Sequence, residues 1–144
     1  MADDIIEIFM IEDNEGDVFL ARKAFEHLSR LYRITVANDG ETALKMLRKE
    51  GEFWDIPHPH LIFLDINLPG HDGKHILRDI KNDEGLRRVP VIVLSSSKSD
   101  HDIFQVYNDL ANAYLTKPET FADFREVVEA IDNFWFKHCI LPRK

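Results

Sequence analysis

The chain has 144 residues, 44% hydrophobic and 31% charged, with a formal net charge of −8. That length suits one domain able to bury roughly 68–70% of its unfolded surface, and the composition is globular rather than disordered. The acidity argues against general nucleic-acid binding, which needs a basic face. The single cysteine, Cys139, rules out an internal disulfide.

Met1-Ala2-Asp3-Asp4 lacks the basic region of a secretory signal, and no apolar run approaches the about 18 residues of a membrane span. With a reduced thiol, these features predict a cytoplasmic protein away from membranes.

Ile5-Ile6-Glu7-Ile8-Phe9-Met10-Ile11 is β-branched and almost wholly apolar, which predicts a buried strand running into Glu12-Asp13. Asn14 can cap a helix whose apolar residues Val18, Ala21, Phe25 and Leu28 fall at helical spacing. Tyr32 to Ala37 reads as a second strand. After Asp39-Gly40, Ala43, Leu44 and Leu47 mark a short helix. Gly51 to Pro59 is a long loop carrying Phe53 and Trp54, with Trp54 expected as a lid on it.

Leu61-Ile62-Phe63-Leu64 then runs into Asp65 and is stopped by Pro69-Gly70. A continuous apolar run of this kind predicts a strand buried on both faces. A helix follows Asp72-Gly73 with Ile76, Leu77 and Ile80 inward. Val89 to Leu94 is a fourth strand leading into Ser95-Ser96-Ser97. From about Asp100 a helix turns Ile103, Val106, Tyr107 and Leu110 to one face. Ala113 to Thr116 is a short fifth strand ending at Lys117-Pro118. Thr120 with Asp123 resembles a capping box for a last helix, whose inner face is Phe121, Phe124, Val128, Ile131 and Trp135.

Strand–helix alternation repeated five times predicts an α/β fold, a parallel sheet covered by helices on both faces. Its strands then deliver Glu12, Asp13, Asp65, Ser95 and Lys117 to one carboxyl edge, where such sheets place ligands. Three carboxylates together repel, and a divalent cation removes the conflict; hard oxygen ligands suit Mg2+. An aspartate can act as nucleophile toward phosphorus, with a metal, a lysine and a hydroxyl stabilising the transferring oxygens. Asn67 argues against an aspartyl-nucleophile phosphatase, which wants a second acid two residues after the nucleophile. The pairs His58/His60 and His71/His75 have poor spacing for a transition-metal site.

Glu12-Asp13, Asp65-Ile66-Asn67-Leu68-Pro69 with Gly70 and Gly73, Ser95, and Lys117-Pro118 together make the chain resemble the receiver domain of two-component response regulators over nearly its whole length. The resemblance implies a flavodoxin-like receiver fold with a five-stranded sheet in the order 2-1-3-4-5. It implies Asp65 as phosphoacceptor from a histidine kinase. It implies Mg2+ held by Asp13, Asp65 and the Asn67 carbonyl, with Glu12 acting through water. Ser95 and Lys117 would bind phosphoryl oxygens, Ser95 and Tyr114 would form the switch, and Lys117-Pro118 is expected as a cis bond. Asn67 and Ser97 would tune phosphoryl loss. Glu12 replaces the more usual first Asp and Ser95 the more usual Thr, and both keep the chemistry.

Only 27 residues follow Lys117. Residues 1–144 are therefore expected as one receiver domain with no output domain, a phosphoacceptor switch rather than an enzyme. Its signal would pass by contact with a downstream protein. The Glu50-Gly51-Glu52-Phe53-Trp54 loop and the tail Asn133-Phe134-Trp135-Phe136 … Leu141-Pro142 resemble the phytochrome-associated regulators, implying a phytochrome as the kinase. On a regular helix Phe136 lies about 100° beyond Trp135, so one face cannot bury Phe134, Trp135 and Phe136 together. This predicts a homodimer through the face formed by the fourth helix, fifth strand and fifth helix, the alternative being cover of the aromatics by the chain's own tail Ile140-Leu141-Pro142.

Overall fold

The computed structural model describes residues 4–68 and 71–142. The expected Pro69-Gly70 break lies outside the described residues. Five strands form one parallel sheet: β1 (Ile6–Ile11), β2 (Tyr32–Ala37), β3 (Leu61–Asp65), β4 (Val91–Ser95) and β5 (Ala113–Thr116). Their spatial order is β2-β1-β3-β4-β5, as the resemblance implied. Outside this sheet, Asn67–Leu68 pairs antiparallel with His71–Asp72, a two-residue ladder not anticipated from the sequence.

Among the described residues five α-helices connect and follow the strands: α1 (Glu15–Glu26), α2 (Gly40–Leu47), α3 (Gly73–Asn82), α4 (Asp100–Asn108) and α5 (Phe121–Ile131). Their starts are chemically specified. Asn14, Asp39, Asp72, Ser99 and Thr120 each accept a backbone N–H from the first turn that follows.

Period-two alternation along the strands splits the core between two faces. Ile8 and Met10 pack with Ala21, Phe25, Phe63, Phe124 and Val128, beneath α1 and α5. Phe9 and Ile11 pack with Leu47, Leu64, Ile76, Leu77 and Val106, beneath α2, α3 and α4. Each such large side chain withdrawn from water contributes about 1.5–3 kcal/mol before entropy is counted. Glu7, the second residue of β1, is buried too, and the Arg33 guanidinium on β2 pairs with both its oxygens.

Four expectations need correction. Within the expected inner face of α4 only Val106 is fully buried, while Tyr107 and Leu110 are exposed. The helix ends at Asn108, and Leu110 lies beyond it in the left-handed region at φ 73°. Periodicity cannot reveal that the last apolar residue falls outside the helix.

Trp54 is 73% exposed and so lids nothing, whereas its neighbour Phe53 packs against the core. A single 3-10 turn, Gly51–Phe53, delivers Phe53 inward and leaves Trp54 at its outer end.

No cis peptide bond occurs among the described residues, so Lys117-Pro118 is trans, the form X–Pro bonds ordinarily favour.

The last helix does not continue regularly to Trp135. From Asp132 to His138 the backbone widens into a π-helix, with the Cys139 N–H donating to the Phe134 carbonyl at 2.8 Å. The changed winding lets Trp135 and Phe136 both pack on the α1/α5 side of the core. Phe136 meets the Tyr32 ring edge-on at 5.8 Å, and Asp132 accepts from Tyr32 Oη and Arg30. The argument that these aromatics need a second chain therefore holds for Phe134 alone, which is 54% exposed.

Candidate functional site

The carboxyl edge of the sheet gathers the predicted groups. Glu12 extends β1 by one residue, its N–H donating to the Ala37 carbonyl on β2 at 2.9 Å, and its side chain is fully buried. Asp65 is the last residue of β3 and is 4% exposed. Its Oδ1 accepts the Asn67 N–H at 3.0 Å and its Oδ2 accepts from Lys117 Nζ at 2.9 Å. Lys117 follows β5, and its own N–H donates to the Ser95 carbonyl at 2.9 Å. That backbone bond ties the fifth strand's exit to the fourth's.

The ammonium of Lys117 lies 2.9 Å from three carboxylate oxygens: Glu12 Oε1, Asp17 Oδ2 and Asp65 Oδ2. Burial disfavours its charge, but the hydrogen bond to Asp65 and the adjoining Glu12 and Asp17 carboxylates outweigh that and hold its pKa above the ordinary lysine value. Asp17 was not foreseen. It stands in the first turn of α1, where an acid carries no signal beyond a partner for the helix dipole.

Glu12 shows the opposite strain. Its pKa is raised to about 7, chiefly by burial and further by the Asp65 charge, against the downward pull of Lys117 and the Asn14 N–H. Its Oε2 accepts the Asn14 N–H at 3.1 Å. Its Oε1 faces Lys117 at ion-pair distance but without hydrogen-bond alignment, so it is a buried oxygen lacking a proper donor.

That oxygen, with the donor set around it, fits a hard cation. Glu12, Asp13 and Asp65 each offer a carboxylate oxygen, all within 4.8 Å of one another, with Asp13 open to solvent. Among the described residues this is the one such group of potential metal ligands. An oxygen-only set with a solvent-facing side suits Mg2+, which keeps several waters. His60 instead accepts the Glu7 N–H on Nδ1, and His75 faces Asp79 at 3.4 Å, so neither belongs to a metal cluster.

The raised Glu12 pKa sets a pH dependence. The folded state holds the Glu12 proton up to about pH 7, the unfolded chain only to about 4.5. Its stabilising contribution is full below pH 4.5 and is lost as pH rises to about 7. In chelator, Glu12→Gln should flatten the decline in melting temperature across that window. Added Mg2+ should raise the wild-type melting temperature more at pH 8 than at pH 5, because the cation competes with the proton.

Ser95 is fully buried at the end of β4, and its Oγ accepts the Ser97 N–H at 3.1 Å. Ser97 also reaches Tyr114 and α4. Its carbonyl accepts from Tyr114 Oη at 2.8 Å, and its hydroxyl donates to Asp102 on α4 at 2.7 Å. Lys74 on α3 bonds Asp102 and Gln105 at 2.7 Å each. A hydrogen-bonded chain thus joins Ser95, Tyr114, α3 and α4. Lys74 and Asp102 carry no local sequence signal, being 28 residues apart.

The profile of the response regulator receiver domain matches residues 8–129. Response regulator Rcp1 from Synechocystis sp. is 34% identical over 135 residues, covering 94% of this chain and 92% of its own. Its Mn2+-bound crystal structure superposes with a TM-score of 0.88 over 96% of this chain and 99% of that one. The phosphorylated cyanobacterial phytochrome response regulator RcpA gives a TM-score of 0.91 at 37% identity, covering 97% of this chain and 100% of that one. "Probable methanogenesis regulatory protein FilR2" from Methanothrix harundinacea is 40% identical over 135 residues, covering 93% of this chain and 86% of its own.

Proposed function

The chain belongs to the response regulator receiver domain family, and from that premise we propose that Asp65 accepts a phosphoryl group from a histidine kinase and that the change is passed on by protein contact. The observation that carries this reading is the Lys117 ammonium 2.9 Å from Asp65 Oδ2, beside the Glu12–Asp13–Asp65 cluster.

The step is a displacement at phosphorus. An Asp65 carboxylate oxygen forms the new O–P bond while the N–P bond to the donor imidazole breaks, and the imidazole leaves with that electron pair and takes up a proton. The Asn67 N–H and Lys117 fix the plane of the carboxylate before attack. Lys117 then faces the charge that develops on the transferring oxygens. Asp13 and Asp65, with the Asn67 carbonyl and with Glu12 through water, would hold Mg2+, which supplies charge neutralisation on those oxygens when bound.

Phosphorylation adds close to two negative charges at Asp65. A Ser95 hydroxyl turning toward the new oxygens leaves its contact with the Ser97 N–H. Ser97 also holds Tyr114 and Asp102, so the same movement loosens Tyr114 and α4 together. The phosphoryl group biases this equilibrium only through contacts that differ between the two states.

The output surface is the side of α4, β5 and α5. There Phe104, Tyr107 and Leu110 are exposed, and a groove of about 460 Å³ lies between β5 and α5, lined by Leu115, Val127, Ala130 and Trp135 among others. Phe134, also exposed, borders the groove. These features support a second copy of the chain, or a downstream protein, as the contact. The phytochrome kinase of the resemblance finds support in RcpA, a phytochrome response regulator. FilR2, at higher identity, carries a methanogenesis name, which supports a phosphotransfer common to these relatives and a stimulus that differs among them.

With Mg2+ and a small phosphodonor, the wild-type protein should form an acid-stable, base-labile acyl phosphate, and Asp65→Asn should form none. Unlabelled wild-type protein would refute Asp65 as acceptor. Sedimentation of the same samples at micromolar concentration reports the homodimer, and a monomer in both states would remove it.

A further inference from the structure

Lys117 has three N–H donors, and three carboxylates already surround them. Phosphorylation turns the Asp65 carboxylate into an uncharged acyl group and sets close to two negative charges against this ammonium. The two carboxylates that remain, Glu12 and Asp17, are then repelled from it by those charges. Glu12 is 1% exposed in its side chain and would be stranded as a buried charge. Asp17 is 20% exposed, and water can replace the ammonium at its Oδ2. Its backbone is held by Asn14, whose Oδ1 accepts the Asp17 N–H at 2.9 Å, so only the side chain must swing.

We propose that Asp17 is a positioning residue for Lys117: it occupies the ammonium in the resting protein and is exchanged for a phosphoryl oxygen when Asp65 is phosphorylated. The inference rests on the reading of Asp65 as phosphoacceptor. It gives Asp17 a definite effect on the reaction. While bound, Asp17 competes for the lysine that the transferring group needs, and its negative charge opposes an anionic donor. Removing the charge with Asp17→Asn should speed phosphorylation by acetyl phosphate about three- to tenfold at low salt, less at high salt.

A rate alone would not separate positioning from a general charge effect, so the test reads the ammonium directly. Nitrogen-15 NMR of the Lys117 side chain would measure proton exchange with water in the resting protein and after addition of beryllofluoride with Mg2+. Asp17→Asn should accelerate exchange about threefold or more in the resting state. With beryllofluoride bound, wild type and Asp17→Asn should exchange alike, because Asp17 has already let go. Equal exchange in the resting state, or a difference that persists undiminished with beryllofluoride, would overturn the proposal while leaving Asp65 as acceptor. Absence of any Asp65-dependent beryllofluoride binding would overturn the acceptor reading and this inference with it.

Discussion

Lys117→Met should lower the stability of the metal-free protein by roughly 3 kcal/mol, the scale of removing one partner from a buried ion pair. For a chain of this size that corresponds to a melting temperature lower by roughly 6–12 °C. The methionine keeps most of the stem and its packing, so the loss isolates the charge. Without the ammonium, Glu12 and Asp65 remain buried and Asp17 close by, and among the described residues no other side-chain cation pairs with them. Two dependences follow. Millimolar Mg2+ should restore part of the loss, because a cation returns to the cluster. The loss should also shrink toward pH 5, where the folded protein keeps a proton on Glu12. Thermal and denaturant unfolding with and without chelator check both. A variant as stable as wild type at pH 8 in chelator would show that the three carboxylates do not depend on Lys117.

Gly73→Ala, at the first residue of α3, should disrupt the backbone beside Asp65. A Cβ built on Gly73 falls 2.6 Å from both Cα and O of Ile66 and 2.8 Å from its carbonyl carbon. These are backbone atoms, so no side chain can rotate out of the way. The Gly73 N–H also donates to that Ile66 carbonyl at 3.0 Å, which holds the start of α3 against the residue that follows Asp65. Forcing the two apart should cost about 1–3 kcal/mol, the range for inserting a methyl into packed structure. It also moves Asn67, whose N–H fixes Asp65 Oδ1. Phosphorylation by a small donor should therefore slow about tenfold or more, since small misplacements at a reacting centre are costly. Gly85→Ala is the control: its Cβ would meet only the Asp83 side chain, at 3.4 Å, and stability should change by about 0.5 kcal/mol or less. Equal effects of the two substitutions would refute the steric argument.

Much of the site was legible because its residues end apolar runs. A buried strand that finishes in a carboxylate needs compensation, and strands from a parallel sheet finish on one edge. Glu12, Asp65 and Lys117 could be paired on that logic, and the ammonium is found between both acids. The logic is blind to groups that reach the site from a helix. Asp17 enters from the first turn of α1, where an acid reads equally well as a partner for the helix dipole. Lys74 and Asp102 meet across two helices, and no local pattern links them.

The aromatic tail shows the other limit. One face of a regular helix could not have buried Phe134, Trp135 and Phe136 together, and that expectation pointed outside the chain. The π-helix changes the angular spacing, and Asp132 fastens the turn to Arg30 and Tyr32. Backbone winding of this kind is set by partners about a hundred residues away in the chain, which a local reading cannot weigh.

By itself the sequence determined the sheet, its order through the resemblance, and the acids and lysine at its edge, because hydrophobic periodicity and strand ends are local properties. Only the tertiary structure decided which carboxylates share the lysine, how Ser97 links the site to α4, and which apolar residues stay exposed. Those depend on distances between elements remote in the chain, set when the two faces of the core close over the sheet.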